Sequence, residues 1–390
     1  MAATRRSNAR RQRTRRVVGI GIGASLAGVT LVAAVAGWFA VAALRGDGAG
    51  IEQMSAPTTP APDETPTPTS TSTPLSPAEQ LIADANDPRA CAVSFTGDGI
   101  DIAPVLERQG EPYAALPIPT RDGQVFAGWY DTAEDAAARS IPGRLNGADA
   151  VACDAQQRTV HAAWMSPADN AAAETRIPIL MYHQFTTKPE GESGWLRGNY
   201  AFVGDWEAHL GYISEQQFYL PTWPELSAFI DGALYLPDHS VVITDDDADP
   251  SWLELAVPLV EKYRVMTTSF VITVNGPGPE LTPHVVKRSH THDMHSAGAN
   301  GEGRIVNWTH DEIVTDLETS ASVLGGAKEV IAYPFGHYDE AAKTAVADAG
   351  FVMARTIEPG YVSIGTDKLA LPVVRVDYGM TVDDIKKAIG

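Results

Sequence analysis

Three acidic residues follow an apolar run near the middle of the chain. The segment VVITDDDADP places Asp245, Asp246 and Asp247 directly after the apolar residues 241–244. Adjacent carboxylates repel one another unless a cation or a proton offsets their charge. The triplet therefore indicates metal binding or acid–base chemistry, and the capping of a following helix is the structural alternative.

Histidines cluster in a second segment, KRSHTHDMHSAG. It brings His290, His292 and His295 within six residues of one another, and histidine is the commonest side chain that binds transition metals. An extended backbone would put His290 and His292 on one strand face. A turn after a strand would bring His290 and His295 together instead. Either arrangement predicts a metal site.

A third segment, IAYPFGHYDEAA, contains Pro334 and Gly336, which favour a tight turn between a strand and a helix. Such a turn can direct backbone N–H groups at an oxyanion. By itself the segment is not specific, because any strand–turn–helix connection uses residues of these types.

Predicted strands and helices alternate around these segments. Apolar runs at 241–244, 267–273, 329–334 and 373–376 predict buried strands, and helical patterns separate them. This alternation over residues 176–390 predicts an α/β domain with a parallel sheet, open or closed into a barrel. In such folds the side chains that perform chemistry gather where strands end and loops begin.

In this order, the three segments resemble the polysaccharide deacetylase family, also called carbohydrate esterase family 4 or the NodB-homology domain. The lead-in RIPILMYHQF and the end LPVVRVDYGMTVDDIKKAI are also similar to that family, so the resemblance covers residues 176–389. It implies a distorted (β/α) barrel that binds one divalent metal, usually zinc, although an Asp/His/His site also accepts cobalt or nickel. The implied reaction is hydrolysis of N-acetyl groups from an N-acetylglucosamine-type polysaccharide, extracellular or in the cell wall, with release of acetate.

The family motif T-F-D-D-G corresponds to residues 244–248. The resemblance implies that Asp246 is the catalytic base and Asp247 a metal ligand. The turn that carries the oxyanion donor in the family corresponds to residues 333–336 here, which makes the Phe335 N–H the implied donor. Asp245 departs from the family, because an aromatic residue is usual at that position.

The resemblance places the other two metal ligands among the clustered histidines. In most relatives these ligands are four residues apart, and that position is Met294 here. A branch that acts on poly-N-acetylglucosamine has them five apart, which fits His290 and His295. His292 is a rival ligand.

Two further departures concern the catalytic groups. The arginine that braces the base in many relatives corresponds to Ala332, and Arg355 or Arg375 could substitute for it. The usual late histidine that acts as general acid is missing, and His183 and His337 are the candidates for that role. The alternative function is therefore a catalytically impaired glycan-binding or wall-scaffolding protein.

The N-terminal part predicts a membrane anchor and export. Residues 1–16 contain seven arginines and predict a cytoplasmic tail. Residues 17–44 are uncharged and long enough to span a bilayer, and a cleaved signal peptide is the alternative. The Pro/Thr-rich residues 45–77 predict a disordered linker. We therefore expect a single-pass cell-membrane protein with extracytoplasmic C-terminal domains.

Between the linker and the α/β domain, residues 78–167 predict a small, β-grasp-like module. It resembles the internalin-type (Listeria–Bacteroides) repeat, with the pattern P-x-x-x-G-x-x-F-x-G-W-Y and a final tryptophan. The matching residues are Pro119, Gly123, Phe126, Gly128, Trp129, Tyr130 and Trp164. We expect Trp129 and Trp164 to belong to the core of the module and not to a ligand platform.

Two global features limit the interactions and the compartment of the chain. The formal net charge of −20 argues against nucleic-acid binding, which requires Lys and Arg to neutralise phosphates. An N-acetylated polysaccharide and the membrane are the expected partners, and the sequence identifies no protein partner. Cys91 and Cys153 are the two cysteines. They could form a disulfide outside the cytoplasm or remain small apolar residues inside it, and the predicted export favours the disulfide.

Overall fold

The structure is a computed structural model, and it describes residues 74–113 and 116–390. The predicted cytoplasmic tail, the predicted anchor and the predicted linker up to residue 73 lie outside the described residues. None of the helices in the described ranges is long and apolar enough to cross a membrane. Pro77, the last residue of the predicted linker, is already helical, because Ser76 and Glu79 form a capping box at the start of the helix.

The first part of the described chain forms a four-stranded mixed sheet, which we call the N-terminal sheet. Its elements are α1 (Pro77–Ala85), β1 (Ala90–Thr96), β2 (Val105–Arg108), β3 (Val125–Tyr130), α2 (Ala133–Ala138), β4 (Gln157–Met165) and α3 (Pro167–Ala172). The strand order is β2-β1-β4-β3. The central pair β1 and β4 is parallel, and both outer pairs are antiparallel. The internalin-type assignment of this sheet stays a prediction.

A disulfide joins Cys91 in β1 to Cys153 in the segment that leads into β4, with their Cα atoms 5.9 Å apart. It forms part of the core of the N-terminal sheet. Trp129 is buried there against the rings of Phe95 and Phe126, at centroid distances of 4.8 and 5.1 Å. The prediction that Trp129 is a core residue is confirmed.

The remaining strands, in chain order, are β5 (Ile179–Tyr182), β6 (Gln184–Thr186), β7 (Tyr200–Phe202), β8 (Val242–Asp247), β9 (Thr267–Val271), β10 (Val285–Ser289), β11 (Val330–Ala332), β12 (Met353–Pro359) and β13 (Leu371–Arg375). Within the described residues, β6 and β7 pair with each other, and the other seven close into a barrel of parallel strands. Neighbours around the barrel follow chain order, and β13 pairs with β5 to close it. The α/β class predicted from strand–helix alternation is confirmed.

Helices connect most of these strands on the outside of the barrel. They are α4 (Val203–Glu215), α5 (Trp223–Ile230), α6 (Val257–Tyr263), α7 (His310–Val323), α8 (Glu340–Asp348) and α9 (Val382–Ile389). Residues 251–263 have a helical pattern in the sequence, but the structure has a π-helical turn, Trp252–Ala256, before α6. Pro258 has no N–H for a regular helical hydrogen bond, so the chain enters α6 through a wider turn.

The N-terminal sheet and the barrel share one apolar core. Phe126 of β3 bridges to Leu234, and its N–H and carbonyl bond to Ala233 and Tyr235 in the segment before β8. Phe126 and Trp129 belong to the same buried cluster as Ile179 and Trp223 of the barrel part. The sheet therefore lies against residues that precede the strands, at the amino end of the barrel, and leaves the carboxyl end to the connecting loops.

Candidate active site

The three aspartates lie at the carboxyl end of β8, which extends to Asp247, three residues beyond the predicted strand. Successive side chains of a strand point to opposite faces, so Asp245 and Asp246 point away from each other. Asp245 is fully buried, and burial together with the nearby charges of Asp246 and Asp247 raises its pKa well above the ordinary value. Protonation of Asp245 would relieve the repulsion expected within the triplet.

Asp246 is buried inside the barrel beside the guanidinium of Arg355. The Nη2 atom of Arg355 donates to both carboxylate oxygens of Asp246. Burial raises the pKa of Asp246, but the charges of Arg355, His183 and His290 together outweigh this effect and hold the pKa below its ordinary value. The carboxylate is therefore ionised and able to accept a proton.

Arg355 supplies the guanidinium that is missing at Ala332. The two residues are register partners on the neighbouring strands β11 and β12, so the guanidinium reaches Asp246 from one strand further along the barrel. The other candidate, Arg375, points elsewhere and donates to Asp377 and Asn199. The structure therefore selects Arg355 from the two alternatives.

Asp247, His290 and His295 form a separate cluster beside Asp246. Oδ1 of Asp247 lies 3.4 Å from Nε2 of His290 and 3.3 Å from Nε2 of His295. One ligand atom from each of the three residues lies within 4.8 Å of the others. Asp247 has a positive φ of 75°, a region that non-glycine residues rarely adopt. This unusual backbone directs its carboxylate toward the histidines and suits a functional position.

The residues of this cluster suit a divalent cation. Oδ1 of Asp247 is buried, and none of its contacts within the described ranges has regular hydrogen-bond geometry. Nδ1 of His290 lies 2.9 Å from the carbonyl oxygen of Ala332. A proton on Nδ1 would leave the Nε2 lone pair facing Asp247, the usual arrangement of a metal-binding histidine. Burial lowers the pKa of His295 to about 4, which keeps this imidazole neutral and able to bind a metal.

His292 points away from this cluster. Its Nδ1 lies 3.1 Å from the Thr273 hydroxyl, and its backbone N–H donates to Asp316 of α7. Strand β10 ends at Ser289, and the chain turns through Thr291, which has a positive φ of 68°. The strand-face pairing of His290 with His292 is therefore not formed, and the alternative across the turn is observed.

The two candidate general acids occupy different environments. Nε2 of His183 lies 3.6 Å from Oδ2 of Asp246. Burial lowers the pKa of His183, although the charge of Asp246 partly opposes this shift. His337 instead accepts the Gly303 N–H at its Nδ1 atom. The structure thus brings His183, and not His337, into contact with the predicted base.

Phe335 lies in the tight turn Pro334–Gly336 with a positive φ of 58°. Its ring contacts His295, with the centroids 4.3 Å apart. The first N–H groups of a helical turn have no partner inside that turn, which leaves the Phe335 N–H available as a donor. The predicted oxyanion donor and the predicted metal ligands therefore lie together.

Comparison with known proteins shows which family this part of the chain is similar to. Residues 235–354 match the protein-family model described as polysaccharide deacetylase. A polysaccharide deacetylase domain is supported for this part of the chain. YxkH of Bacillus subtilis (strain 168), a protein named as a polysaccharide deacetylase, is 26% identical over 219 residues, which are 53% of this chain and 73% of that protein.

A second relative is the poly-β-1,6-N-acetyl-D-glucosamine N-deacetylase of Staphylococcus aureus (strain MRSA252). It is 26% identical over 161 residues, which are 36% of this chain and 55% of that protein. The match thus spans about half the length of that relative. Among solved structures, the Streptococcus pyogenes deacetylase PplD in complex with acetate matches with a TM-score of 0.48 and 20% identity, over 56% of this chain and 99% of that one.

One supporting residue of the deacetylase domain was missed by the sequence analysis. The carboxylate of Asp316 accepts the backbone N–H groups of His292 and Asp293, each at 2.7 Å, and so fixes the loop that carries His295. Asp316 lies among Ile313, Leu317 and Ser320 on the buried face of α7. A carboxylate at a core-facing position of a predicted helix was the signal that could have revealed it.

Proposed function

We propose that this chain hydrolyses N-acetyl groups of an N-acetylglucosamine-type polysaccharide and releases acetate. The observation that carries the proposal is that an ionised carboxylate, Asp246, lies beside the Asp247, His290 and His295 cluster at one end of the barrel. Metal-assisted hydrolysis requires this combination of a base and a cation site. The named substrate of the Staphylococcus aureus relative supports the choice of sugar.

Asp247, His290 and His295 are the proposed ligands of a divalent cation, for which we propose zinc. When bound, the cation would polarise the acetamide carbonyl and lower the pKa of a nearby water. The Ala332 carbonyl supports this role, because it holds the Nδ1 side of His290 and orients the ring.

The residues of the chain account for the proton transfers. Asp246 accepts a proton from the attacking water as its oxygen bonds to the acetamide carbon. The Phe335 N–H donates to the carbonyl oxygen while it carries negative charge. His183, whose Nε2 lies 3.6 Å from Oδ2 of Asp246, takes up the proton that Asp246 has accepted and passes it to the sugar nitrogen as the carbon–nitrogen bond breaks. Arg355 positions Asp246 and contributes to keeping it ionised.

The first experiment measures acetate release from N-acetylglucosamine oligomers by the purified protein, with zinc or cobalt and with a chelator. His290→Ala should abolish metal binding and release, whereas His292→Ala removes the same side chain two residues away and should retain both. Release that persists in chelator, or that is lost equally in the two variants, would count against the proposed metal site.

A second pair of variants tests the general acid. His183→Ala should lower kcat by roughly 100-fold or more, a typical effect for loss of general acid catalysis. His337→Ala should change kcat by less than about threefold, because no transferred proton is assigned to it. A larger loss of kcat in His337→Ala than in His183→Ala would assign the role of general acid to His337.

Two observations favour an enzyme over a catalytically impaired glycan-binding protein. The alternative depended on the absent arginine and the absent late histidine. Arg355 contacts Asp246 from β12, and His183 lies beside Asp246 from the end of β5, so both chemical roles have a candidate. If the protein binds metal and glycan but releases no acetate from oligomers or purified cell wall, the binding function is correct instead.

We further propose that the chain is anchored in the cell membrane by residues 17–44, with the barrel outside the cytoplasm. The Cys91–Cys153 disulfide supports export, because disulfides persist mainly in oxidising compartments. Membrane fractions washed with alkaline carbonate should retain the protein. A mature N-terminus close to residue 44 would show a cleaved signal peptide instead.

A further inference from the structure

Several exposed apolar side chains lie near or beyond the carboxyl ends of strands. They are Trp195, Leu196, Val274, Phe335 and Ile357. Trp195 is 91% exposed, more than the other large apolar side chains of the described residues. It lies in the loop between β6 and β7, which begins shortly after His183. The loop bonds to Arg375 at the carboxyl end of β13 and to Tyr378 just after it, and His183 follows the neighbouring strand β5. Since the carboxyl ends of parallel barrel strands share one rim, the loop and His183 lie on the same face.

The loop that carries Trp195 is firmly held at both of its ends. At its start, the hydroxyl of Tyr378 donates to the Pro189 carbonyl. At its end, the Tyr378 N–H donates to the Gly198 carbonyl at 3.1 Å, and Arg375 donates to Asn199 at 2.5 Å. Trp195 is therefore exposed although the loop that carries it is anchored.

Close contacts inside the loop add to this anchoring. Gly191 has a positive φ of 81°, and a Cβ atom there would lie 2.6 Å from the Tyr378 ring. The guanidinium of Arg197 lies over the same ring, 4.6 Å from its centroid. Glu192 accepts from both Thr186 and Lys188. These contacts fix the loop while the Trp195 indole stays clear of them.

The indole itself has no partner in the described part of the chain, neither a ring, a cation nor a hydrogen-bond acceptor. Exposing a large aromatic surface to water is unfavourable, and an anchored loop that does so suits ligand binding. One face of a β-linked N-acetylglucosamine ring is formed by C–H groups. Their weakly positive hydrogens suit the negative face of an aromatic ring, and the indole N–H can bond to a sugar oxygen.

We propose that Trp195 is a sugar-binding platform that stacks on a ring of the polysaccharide other than the one being deacetylated. This inference rests on the proposed function, because it assigns a second contact to the same polymer. Trp195 is a positioning residue: it holds the chain of sugars across the rim and takes no part in the proton transfers. It makes the enzyme selective for substrates longer than one or two sugars.

A lipid surface is the other ligand class that an exposed Trp195–Leu196 pair could suit. The charges of the loop and of the whole chain argue against a lipid surface as the ligand. The loop over 187–199 contains two basic residues, Lys188 and Arg197, and two acidic ones, Glu190 and Glu192, and the whole chain has a formal net charge of −20. Anionic lipid headgroups attract clusters of basic residues, which this loop lacks.

The test compares kinetics on a long and a short substrate, using N-acetylglucosamine hexamers and dimers with the metal-loaded protein. Trp195→Ala should raise KM for hexamers by about 5- to 10-fold, the size expected for one aromatic stacking contact. Both kcat and the kinetics on dimers should stay unchanged. Trp195→Phe keeps an aromatic face and should retain most of the hexamer affinity. Val352→Ala, which removes an exposed apolar side chain before β12 at the opposite end of the barrel, is the matched control.

Calorimetric titration of hexamers into the protein separates this inference from the proposed function. If the protein binds hexamers but releases no acetate, the proposed function fails, while a Kd raised by Trp195→Ala alone still supports the platform. Equal KM and Kd in the wild type and Trp195→Ala would overturn the platform. Loss of binding to phosphatidylglycerol vesicles in Trp195→Ala, with hexamer binding intact, would overturn it in favour of a membrane contact.

Discussion

The carboxyl end of the barrel buries charged groups in contact with one another, whereas the amino end is covered by apolar side chains of the N-terminal sheet. Asp246 and Arg355 pair inside the first region, and Phe126 and Trp129 meet barrel residues in the second. Burying a charge costs free energy unless its partners are placed accurately. Burying apolar side chains is favourable and tolerates changes in the details of packing. The two ends therefore show a division of roles: the carboxyl end carries the candidate catalytic groups, and the amino end stabilises the fold.

The largest effect that tests this division is expected at Asp246. Asp246→Asn keeps the shape of the side chain but removes the proton acceptor, so kcat/KM should fall by about 1,000-fold. Metal binding, measured by calorimetry, should persist because Asp246 is not a proposed ligand. Asp238→Asn is the control, since it makes the same change at an exposed residue before β8, at the amino end of the barrel. A similar loss in both variants would contradict the division.

Arg355 should be an exception to this division of roles, because its guanidinium supports both catalysis and the stability of the fold. Arg355→Met would leave Asp246 buried without its cation, and we expect a loss of about 3–5 kcal/mol in the free energy of unfolding, together with loss of activity. Denaturant unfolding measures the first effect. Combining Arg355→Met with Asp246→Leu should restore most of the stability and none of the activity. A stable, active Arg355→Met would show that the pair is dispensable.

At the amino end, Trp129→Ala should lower the free energy of unfolding by about 3–5 kcal/mol, because it removes a large buried side chain. It also removes the indole that donates to the Pro117 carbonyl at 2.7 Å. The activity of the remaining folded protein should be unchanged, since this residue lies away from the catalytic cluster. Trp195→Ala removes an exposed tryptophan and should leave unfolding nearly unaffected. Equal destabilisation by the two substitutions would refute the assigned difference in burial.

The smallest of these effects is expected from the disulfide. Replacing Cys91 and Cys153 by serine opens a cross-link between residues 62 apart in the sequence and should cost about 2–4 kcal/mol. Thermal unfolding with and without reductant checks this value, and the variant should be insensitive to reductant. Acetate release below the unfolding temperature should not change, and a loss there would show that the N-terminal sheet takes part in catalysis.

Local patterns in the sequence predicted the α/β class, the buried Trp129 and most barrel strands, because side-chain periodicity and turn residues act over short distances. The aspartate triplet at a strand end and the clustered histidines also marked the region of the candidate active site. The Cys91–Cys153 pairing followed from the expectation of export and not from any local pattern.

Three choices were made only by the tertiary structure. Arg355 replaces the arginine missing at Ala332 because β11 and β12 pair in that register. His183 meets Asp246 because β5 and β8 are neighbours in the barrel. His295 joins His290, and His292 does not, because the chain turns after β10 and Asp316 holds the loop. Each depends on residues far apart in the chain, whose distances are set by barrel closure and not by local sequence.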